Sequence, residues 1–465
     1  PSADAATAES TTWDAGTRTL TIVVATNDVV MGAAQVIEIA NARTPSSIVN
    51  ASTVIVTSKD SRGKVIDGPT PMATDAITAG AISGSPRFDT ATDTPGFKDS
   101  ATVSFTTAGQ VQAGGFVQLV MPDLSAGSAL QSEWGFEDPA VSYAAPTSGA
   151  PSAIAFFNAS ARTLTVATAG ATMSQSSQHV ITITNVRTPS SIVGANQVRA
   201  TTQDSAGRTI DTTTSMATDA IAAGALVSAE LDASTDTPGF LHEAIVTFTT
   251  AGQVQAGGKI VLVLPDLPDT GRGWRFQSPS VTFTAPSSGA PSASASFNSS
   301  LRTLTLTTAN ATMAQATQHA ITISNVHTPS SIVDATTMQA MVLDSTDKSI
   351  DATSDMVVDQ IAAGSFTGAR SFDTGTDTPG VKDTATLSFT PTGTIHVGGS
   401  IEIVMPALTG LQSPWSFETP SASWTTPSAD AATAESTTWD AGTRTLTIVV
   451  ATNDVVMGAA QVIEI

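Results

Sequence analysis

The stretch ATVSFTTAGQVQAGGFVQLVMP, from Ala101 to Pro122, contains two segments in which apolar and polar residues alternate. Val103 and Phe105 alternate with threonine and serine in the first segment, and Val117 and Leu119 continue the pattern in the second. A period of two is typical of a β-strand that buries one face. The Gly-Gly pair between the segments favours a turn. The stretch therefore predicts two half-buried strands.

The same pattern occurs three times along the chain. The pentapeptide TDTPG places its proline at positions 95, 238 and 379, and TPSSIV places its proline at 45, 189 and 329. The first strand recurs with Val246 and Phe248, and again with Leu387 and Phe389. This self-similarity indicates a repeat of about 142 residues, which is long enough for one domain per repeat.

Residues 1–39 are identical to residues 427–465, so the sequence begins to repeat after 426 positions, which correspond to three repeats. We expect the chain to be a window of a longer array with a 426-residue superunit. The Gly/Ala-rich stretch before each TDTPG predicts the boundaries. Residues 1–80 are then the second half of a domain, 81–223 and 224–364 are complete domains, and 365–465 are the first part of a domain.

Each repeat is rich in Thr, Val, Ser and Ile, and turn residues separate its strands roughly every 8–12 positions. Helical periodicity is almost absent. About eight short strands per repeat, without a βαβ rhythm, favour an antiparallel β-sandwich of immunoglobulin-like form. The predicted fold class is all-β, with tandem immunoglobulin-like sandwiches arranged as a linear rod.

Composition excludes several functions. The formal charge is −21, with 19 Lys and Arg against 40 Asp and Glu. Such an acidic surface disfavours nucleic acid and anionic lipid as partners. The chain has no Cys, which excludes thiol catalysis and disulfides. The sequence contains no run of about 18 apolar residues, so it predicts no membrane insertion.

Phrases such as TFTTAGQVQAGGKIVLVLPDL (Thr247–Leu267) and HVITITNVRTPSS (His179–Ser191) resemble strand phrases of giant tandem-repeat extracellular proteins, of the filament and adhesin types, with immunoglobulin-like modules. The resemblance extends over the whole chain and is one of class, not of a particular family. It implies an extracellular, cell-surface location and a fibrous or adhesive role.

Each TDTPG phrase is accompanied by two carboxylates that, with threonine oxygens, offer ligands to a structural Ca²⁺ at the predicted joint between domains. Linker turns use the same residue types, so a purely structural role is the alternative. No other cofactor is expected. The calcium candidates are Asp89, Asp93, Asp232, Asp236, Asp373 and Asp377.

A W-x-F-x-x-P phrase recurs with Trp134, Trp274 and Trp415. We interpret these side chains as core or domain-contact aromatics, because tryptophan is highly buried on average. Stacking on sugars is the alternative.

Four Asn-x-Ser/Thr sequons make the chain a candidate glycoprotein, if it is secreted from a eukaryotic cell. Their acceptors are Asn50, Asn158, Asn298 and Asn310.

The pattern favours a structural protein over an enzyme, because no nucleophile elbow, phosphate loop or metal-spaced histidines occur. We predict a subunit of an extracellular filament or cell-surface appendage, such as a flagellar hair or fibrous coat, that self-assembles with copies of itself. Surface glycans are a further possible partner. The alternative is the passive stalk of a giant adhesin whose binding tip lies outside this sequence. A polysaccharide-binding or hydrolytic protein would need exposed aromatic stripes or paired carboxylates in a cleft, and neither is evident.

Overall fold

The computed structural model describes residues 6–124, 130–268, 271–410, 413–429 and 431–465. Strands, turns and bends account for the regular structure of these residues, and no helix occurs among them. No helix that could cross a membrane is therefore found in the described part of the chain. The predicted all-β class is confirmed.

The chain divides into two compact units, of which the first consists of residues 1–45 and 49–77. The described part of the first unit forms two separate hairpins. Their strands are β1 (Thr7–Asp14), β2 (Thr19–Thr26), β3 (Ser52–Lys59) and β4 (Val65–Thr74).

The second unit comprises residues 46–48 and 78–465. It contains three apolar cores, and we call the segments around them the first module (78–223), the second module (224–364) and the third module (365–465). The first and second modules each have eleven strands among the described residues, two of them only two residues long, where about eight were expected.

The strands of the first module are β5 (Gly80–Ala81), β6 (Ser83–Thr90), β7 (Lys98–Thr106), β8 (Phe116–Val120), β9 (Gly135–Phe136), β10 (Val141–Ala145), β11 (Ser152–Asn158), β12 (Thr163–Ala169), β13 (Gln178–Arg187), β14 (Gln197–Gln203) and β15 (Thr209–Thr218).

Those of the second module are β16 (Gly224–Ala225), β17 (Val227–Ala233), β18 (Leu241–Thr249), β19 (Lys259–Val263), β20 (Arg275–Phe276), β21 (Val281–Ala285), β22 (Ser292–Asn298), β23 (Thr303–Ala309), β24 (Gln318–His327), β25 (Thr336–Leu343) and β26 (Ser349–Val358).

The third module contains β27 (Thr367–Thr374), β28 (Ala385–Thr390), β29 (Ser400–Val404), β30 (Ser423–Thr426), β31 (Thr433–Asp440), β32 (Thr445–Thr452) and β33 (Gln461–Glu464).

The topology of each complete module is immunoglobulin-like. In the first module, β6 pairs antiparallel with β7 and parallel with β15, so it belongs to the edge of both layers. One layer continues from β7 to β13 and β10, and the other from β15 through β14, β8 and β12 to β11. The second module repeats this order. The predicted immunoglobulin-like sandwich is therefore confirmed.

The residues that alternate between apolar and polar in the sequence also alternate between buried and partly exposed in the structure. Val103 and Phe105 of β7 and Val117 of β8 are fully buried, and Leu119 is 1% exposed. Their polar neighbours Thr102 and Ser104 are only partly covered. The apolar face of each layer meets that of the other, and burial of this apolar area from water stabilises each module separately.

Candidate functional site

The TDTPG loop of the first module is held by the TPSSIV loop of the same module. The Gly96 amide donates to the carbonyl of Pro189 at 2.7 Å. The hydroxyl of Thr188 accepts from the Phe97 amide at 2.9 Å and donates to the Thr94 carbonyl at 2.5 Å. The two motifs that mark the repeat are therefore partners in space, and they fix one rigid corner of the module.

This corner docks on a turn of the second module. The Gln253 amide donates to the Gly96 carbonyl at 3.3 Å. A Cβ atom on Gly96, whose φ is +63°, would lie 2.7 Å from the Gln253 carbonyl oxygen, and a Cβ on Gly252 would overlap the carbonyl oxygen of Pro95. Only glycine permits this approach of backbone to backbone.

The same joint recurs between the second and third modules. The Thr394 amide donates to the Gly239 carbonyl at 3.0 Å. A Cβ on Gly239 would lie 2.7 Å from the Thr394 carbonyl oxygen, and one on Gly393 would overlap the carbonyl oxygen of Pro238. The two joints between successive modules thus share the same close backbone contact.

Side chains differ between the two joints. In the first joint, Gln315 brackets the backbone of Lys98: its Oε1 accepts from the Lys98 amide at 2.6 Å and its Nε2 donates to the Lys98 carbonyl at 3.0 Å. In the second joint, the corresponding residues are Leu241 and Met457, and the Leu241 amide faces the Met457 sulfur at 3.4 Å. A thioether is a weak acceptor, so we expect the first joint to be the more strongly hydrogen-bonded.

Two further glutamines reinforce the first joint. Gln131 donates from Nε2 to the Ala256 carbonyl at 2.7 Å, and its Oε1 accepts from the Ser345 amide at 3.3 Å. Gln255 donates to the hydroxyl of Ser132 at 2.9 Å. Every one of these contacts is polar, as is usual for interfaces between domains of one chain.

The predicted calcium candidates of the second module lie together. Asp232 and Asp236 form a cluster with Asp359, and one oxygen of each lies within 4.8 Å of the others. Burial and the charge of Asp359 raise the pKa values of Asp232 and Asp236. Asp359 was not among the predicted residues, although aspartate recurs at this repeat position as Asp75 and Asp219.

In the equivalent cluster of the first module, an arginine pairs with two of the carboxylates. Arg87 donates to Asp219 at 2.6 Å and to Asp89 at 3.3 Å. The second module has Glu230 at the position of Arg87, so it carries an extra negative charge where the first carries a positive one. Asp93 accepts a hydrogen bond from Thr90, as expected of a carboxylate that caps a turn.

In the third module, Asp377 accepts from the Thr374 hydroxyl at 2.7 Å, and Asp373 lies on β27. The position of Arg87 and Glu230 is taken by Ser371 here, so the three repeats carry a positive, a negative and an uncharged residue at that position.

Trp134 and Trp274 are 7% and 5% exposed and belong to the cores of their modules. Trp134 meets Phe88 edge to face at a centroid distance of 5.5 Å. Trp415 is 37% exposed and lies 6.0 Å from Phe372. The W-x-F-x-x-P phrase thus occupies a buried place in the complete modules and an uncovered place in the third.

All four sequon asparagines are exposed. At Asn158 and Asn298 the Oδ1 atom accepts from the hydroxyl of the sequon serine at 2.8 and 2.7 Å, while at Asn310 the Nδ2 atom donates to Ser292. Asn50 lies just before β3. Glycosylation stays a prediction for each of them.

No known protein family matches the chain at the level of sequence, and no curated protein matches it. Several solved structures align with it. The type II cohesin dyad of the adaptor scaffoldin ScaA from Acetivibrio cellulolyticus is 10% identical, with 61% of this chain and 99% of that chain covered and a TM-score of 0.19. The C-terminal domain of the Streptococcus agalactiae AgI/II polypeptide BspA is 8% identical, with 68% and 99% covered and a TM-score of 0.21. The S. aureus collagen adhesin is 9% identical, with 60% and 90% covered and a TM-score of 0.18. Scores of this size transfer no function to this chain.

Proposed function

We propose that the chain is a structural protein of an extracellular filament or cell-surface appendage, of the flagellar-hair or fibrous-coat type. Its modules stack end to end as a rod, and its partners are copies of itself. The observation that supports this most is the recurrence of one close backbone joint, at Gly252 and again at Gly393. A geometry repeated at successive boundaries gives each module the same relation to the next, which is how repeat proteins build extended bodies.

The segment that connects the first and second modules is short and is hydrogen-bonded on both sides. The Ala222 amide, at the end of the first module, donates to the Asp93 carbonyl at 2.9 Å. Gly224 already pairs with Asp351 of the second module. Only Ala223 separates these anchored residues, so the joint resists bending on both sides. Such a joint supports the transmission of force along the rod, the mechanical role that we assign to the chain in place of catalysis.

Electron microscopy of the native material tests this proposal. We expect regular filaments whose axial repeat equals three stacked modules, because the sequence restarts after three repeats. Isolated, flexible strings with a distinct knob at one end would contradict it and would support the alternative of an adhesin stalk.

A further inference from the structure

The second joint, between the second and third modules, has charged and titratable side chains where the first joint has neutral ones. Gln255 donates to the hydroxyl of Ser132 across the first joint at 2.9 Å. Repeat alignment places His396 at the position of Gln255, and Arg272 at the position of Ser132. An imidazole and a guanidinium thus line one cavity of the second joint, where the first joint pairs an amide with a hydroxyl.

On the side of the second module, the contacts of His327 require a neutral ring. His327 lies on β24, and its Nδ1 atom accepts from Nη2 of Arg275 at 3.5 Å. Its Nε2 atom donates to Oε1 of Gln277 at 3.3 Å. A protonated imidazole has no acceptor, so proton uptake would remove the contact with Arg275. Burial, followed by the charges of Arg275 and His396, lowers the pKa of His327, and Arg272 acts in the same direction.

On the side of the third module, His396 is paired with a carboxylate. Its Nδ1 atom lies 2.8 Å from Oδ2 of Asp454, and its side chain is 12% exposed. Asp454 also lies close enough to Arg272 and Arg275 of the second module for their charges to attract. While His396 is neutral, the charge of Asp454 therefore helps to hold the two modules together.

Protonation would reverse this balance of charge. A protonated His396 offsets the charge of Asp454 and places a cation opposite His327 and the arginines of the second module. The charged and titratable groups that meet at this joint are Arg272, Arg275, His327, Arg370, His396 and Asp454. In acid they become three arginines and two protonated histidines with one carboxylate.

We propose that the second joint is an acid-sensitive hinge: protonation of His327 and His396 separates the second and third modules, while the first and second modules stay docked. The inference goes beyond the proposed function, because it gives one joint of the rod a response to pH.

The direction of the pKa shift sets the pH range. The pKa of His327 is lower in the docked state than the ordinary value near 6.5. Docking is therefore constant above about pH 6.5 and weakens as the pH falls through that value towards the lower docked pKa, because the undocked ring takes up the proton first.

The first joint has no such response. The side chains that cross it are the glutamines Gln131, Gln255 and Gln315, which do not titrate. The charged groups beside it pair with one another inside the first module, where Glu137 accepts from both Lys98 and Arg187.

Spin labels at equivalent positions of the three modules test the hinge in the full chain, whose sequence has no Cys. Ile154→Cys with Ser294→Cys reports on the first joint, and Ser294→Cys with Ser436→Cys reports on the second. All three positions are exposed and correspond in the repeat alignment. Between about pH 7.5 and about pH 5.5, on either side of the ordinary histidine pKa, we expect the distances across the second joint to lengthen and broaden. Those across the first joint should stay unchanged.

Substitutions at the histidines then separate the hinge from other effects of acid. His327→Gln combined with His396→Gln should keep the neutral-pH distances across the second joint at both pH values, because glutamine does not titrate and already serves at position 255 of the first joint. His242→Gln is the matched control. His242 hydrogen-bonds to Ser234 of its own module, so this variant should keep the acid response.

Three results would overturn the proposal: unchanged distances across the second joint in acid, an equal change at both joints, or an acid response that survives in the variant with both His327→Gln and His396→Gln. Native filaments with a three-module repeat at neutral pH would still support the proposed function after such a result.

Discussion

The carbonyl oxygen of Pro95 occupies the space that a Cβ atom on Gly252 would need, and the carbonyl carbon lies 3.1 Å from that position. Pro238 and Gly393 stand in the same relation, with the same 3.1 Å. The methyl group of a Gly252→Ala variant would therefore force the first two modules apart. We expect the joint to carry most of an overpacking cost of about 1–3 kcal/mol, while each module keeps its core. Distances between spin labels on cysteines introduced into the two modules should lengthen and broaden.

The matched control is Gly273→Ala. Gly273 belongs to the same module, and a Cβ there would meet no atom within 4 Å. Unchanged label distances in Gly252→Ala would mean that the joint is loose enough to absorb a methyl group, and would count against a stiff rod.

The sequence predicted the strands because the alternation of Val103 and Phe105 with polar residues is a local pattern with a direct cause in burial. It predicted the repeats because TDTPG and TPSSIV recur at nearly constant spacing, and the sandwich because each repeat holds several short strands separated by turn residues. The contacts of the joint could not be predicted, because Gly96 meets Pro189 and Gln253, which are distant in the chain, and a glycine in the sequence does not indicate which backbone approaches it. The domain boundaries and the linear rod stay predictions.

The position of Asp359 beside Asp232 and Asp236 was not predicted from the sequence, although its recurrence indicated that the residue is part of the repeat. It lies 123 positions after Asp236, and only its recurrence as Asp75 and Asp219 marked it. Conversely, the ion pair of Arg87 with Asp89 could not be predicted, because an arginine side chain two residues from a carboxylate has many rotamers that point away from it.

Asp351 of the second module should destabilise the fold at neutral pH. It is fully buried, and burial raises its pKa to about 6. The equivalent Asp211 accepts from the hydroxyl of Thr202 at 2.8 Å, whereas Val342 stands opposite Asp351. Because the folded pKa exceeds the unfolded value near 3.9, stability falls as the pH rises from about 4 to about 6. Asp351→Asn should therefore raise the free energy of unfolding above pH 6, by up to about 3 kcal/mol for two pKa units.

Calorimetric unfolding of the full chain between pH 4 and pH 8 measures this effect, and the gain should vanish towards pH 4. The control Asp211→Asn loses the charged acceptor of the Thr202 hydroxyl and should not stabilise at any pH. A constant difference across the pH range would disprove the role of the Asp351 charge.

Calcium binding is best tested at the cluster of Asp232, Asp236 and Asp359, where mutual repulsion would be relieved by a divalent cation. We expect Ca²⁺ to stabilise the second module by about 2.7 kcal/mol at a hundred times its dissociation constant. Asp359→Asn should remove this shift, and Glu230→Arg should weaken it by copying the charge of Arg87. The control Asp219→Asn should leave it unchanged. Absence of any calcium-dependent shift in melting temperature would leave the cluster as a set of turn-capping carboxylates.

The buried histidines should make the first two modules sensitive to acid. His319 is 1% exposed and lies 5.9 Å from Phe248, and burial lowers its pKa; His179 is buried in the same way beside Phe105. The unfolded chain, with a histidine pKa near 6.5, takes up a proton first, so stability is constant above that pH and falls as the pH drops through about 6.5 towards the lower folded values.

The third module provides the test, because it has Gln461, 2% exposed, at the position of His319. We expect His319→Gln combined with His179→Gln to reduce the loss of melting temperature between pH 7 and pH 5, since glutamine does not titrate there. His242→Gln, at an exposed position, is the control and should keep the wild-type profile. If the double variant still lost stability as steeply as the natural chain over this range, proton uptake by these two rings would not be the cause of the acid sensitivity.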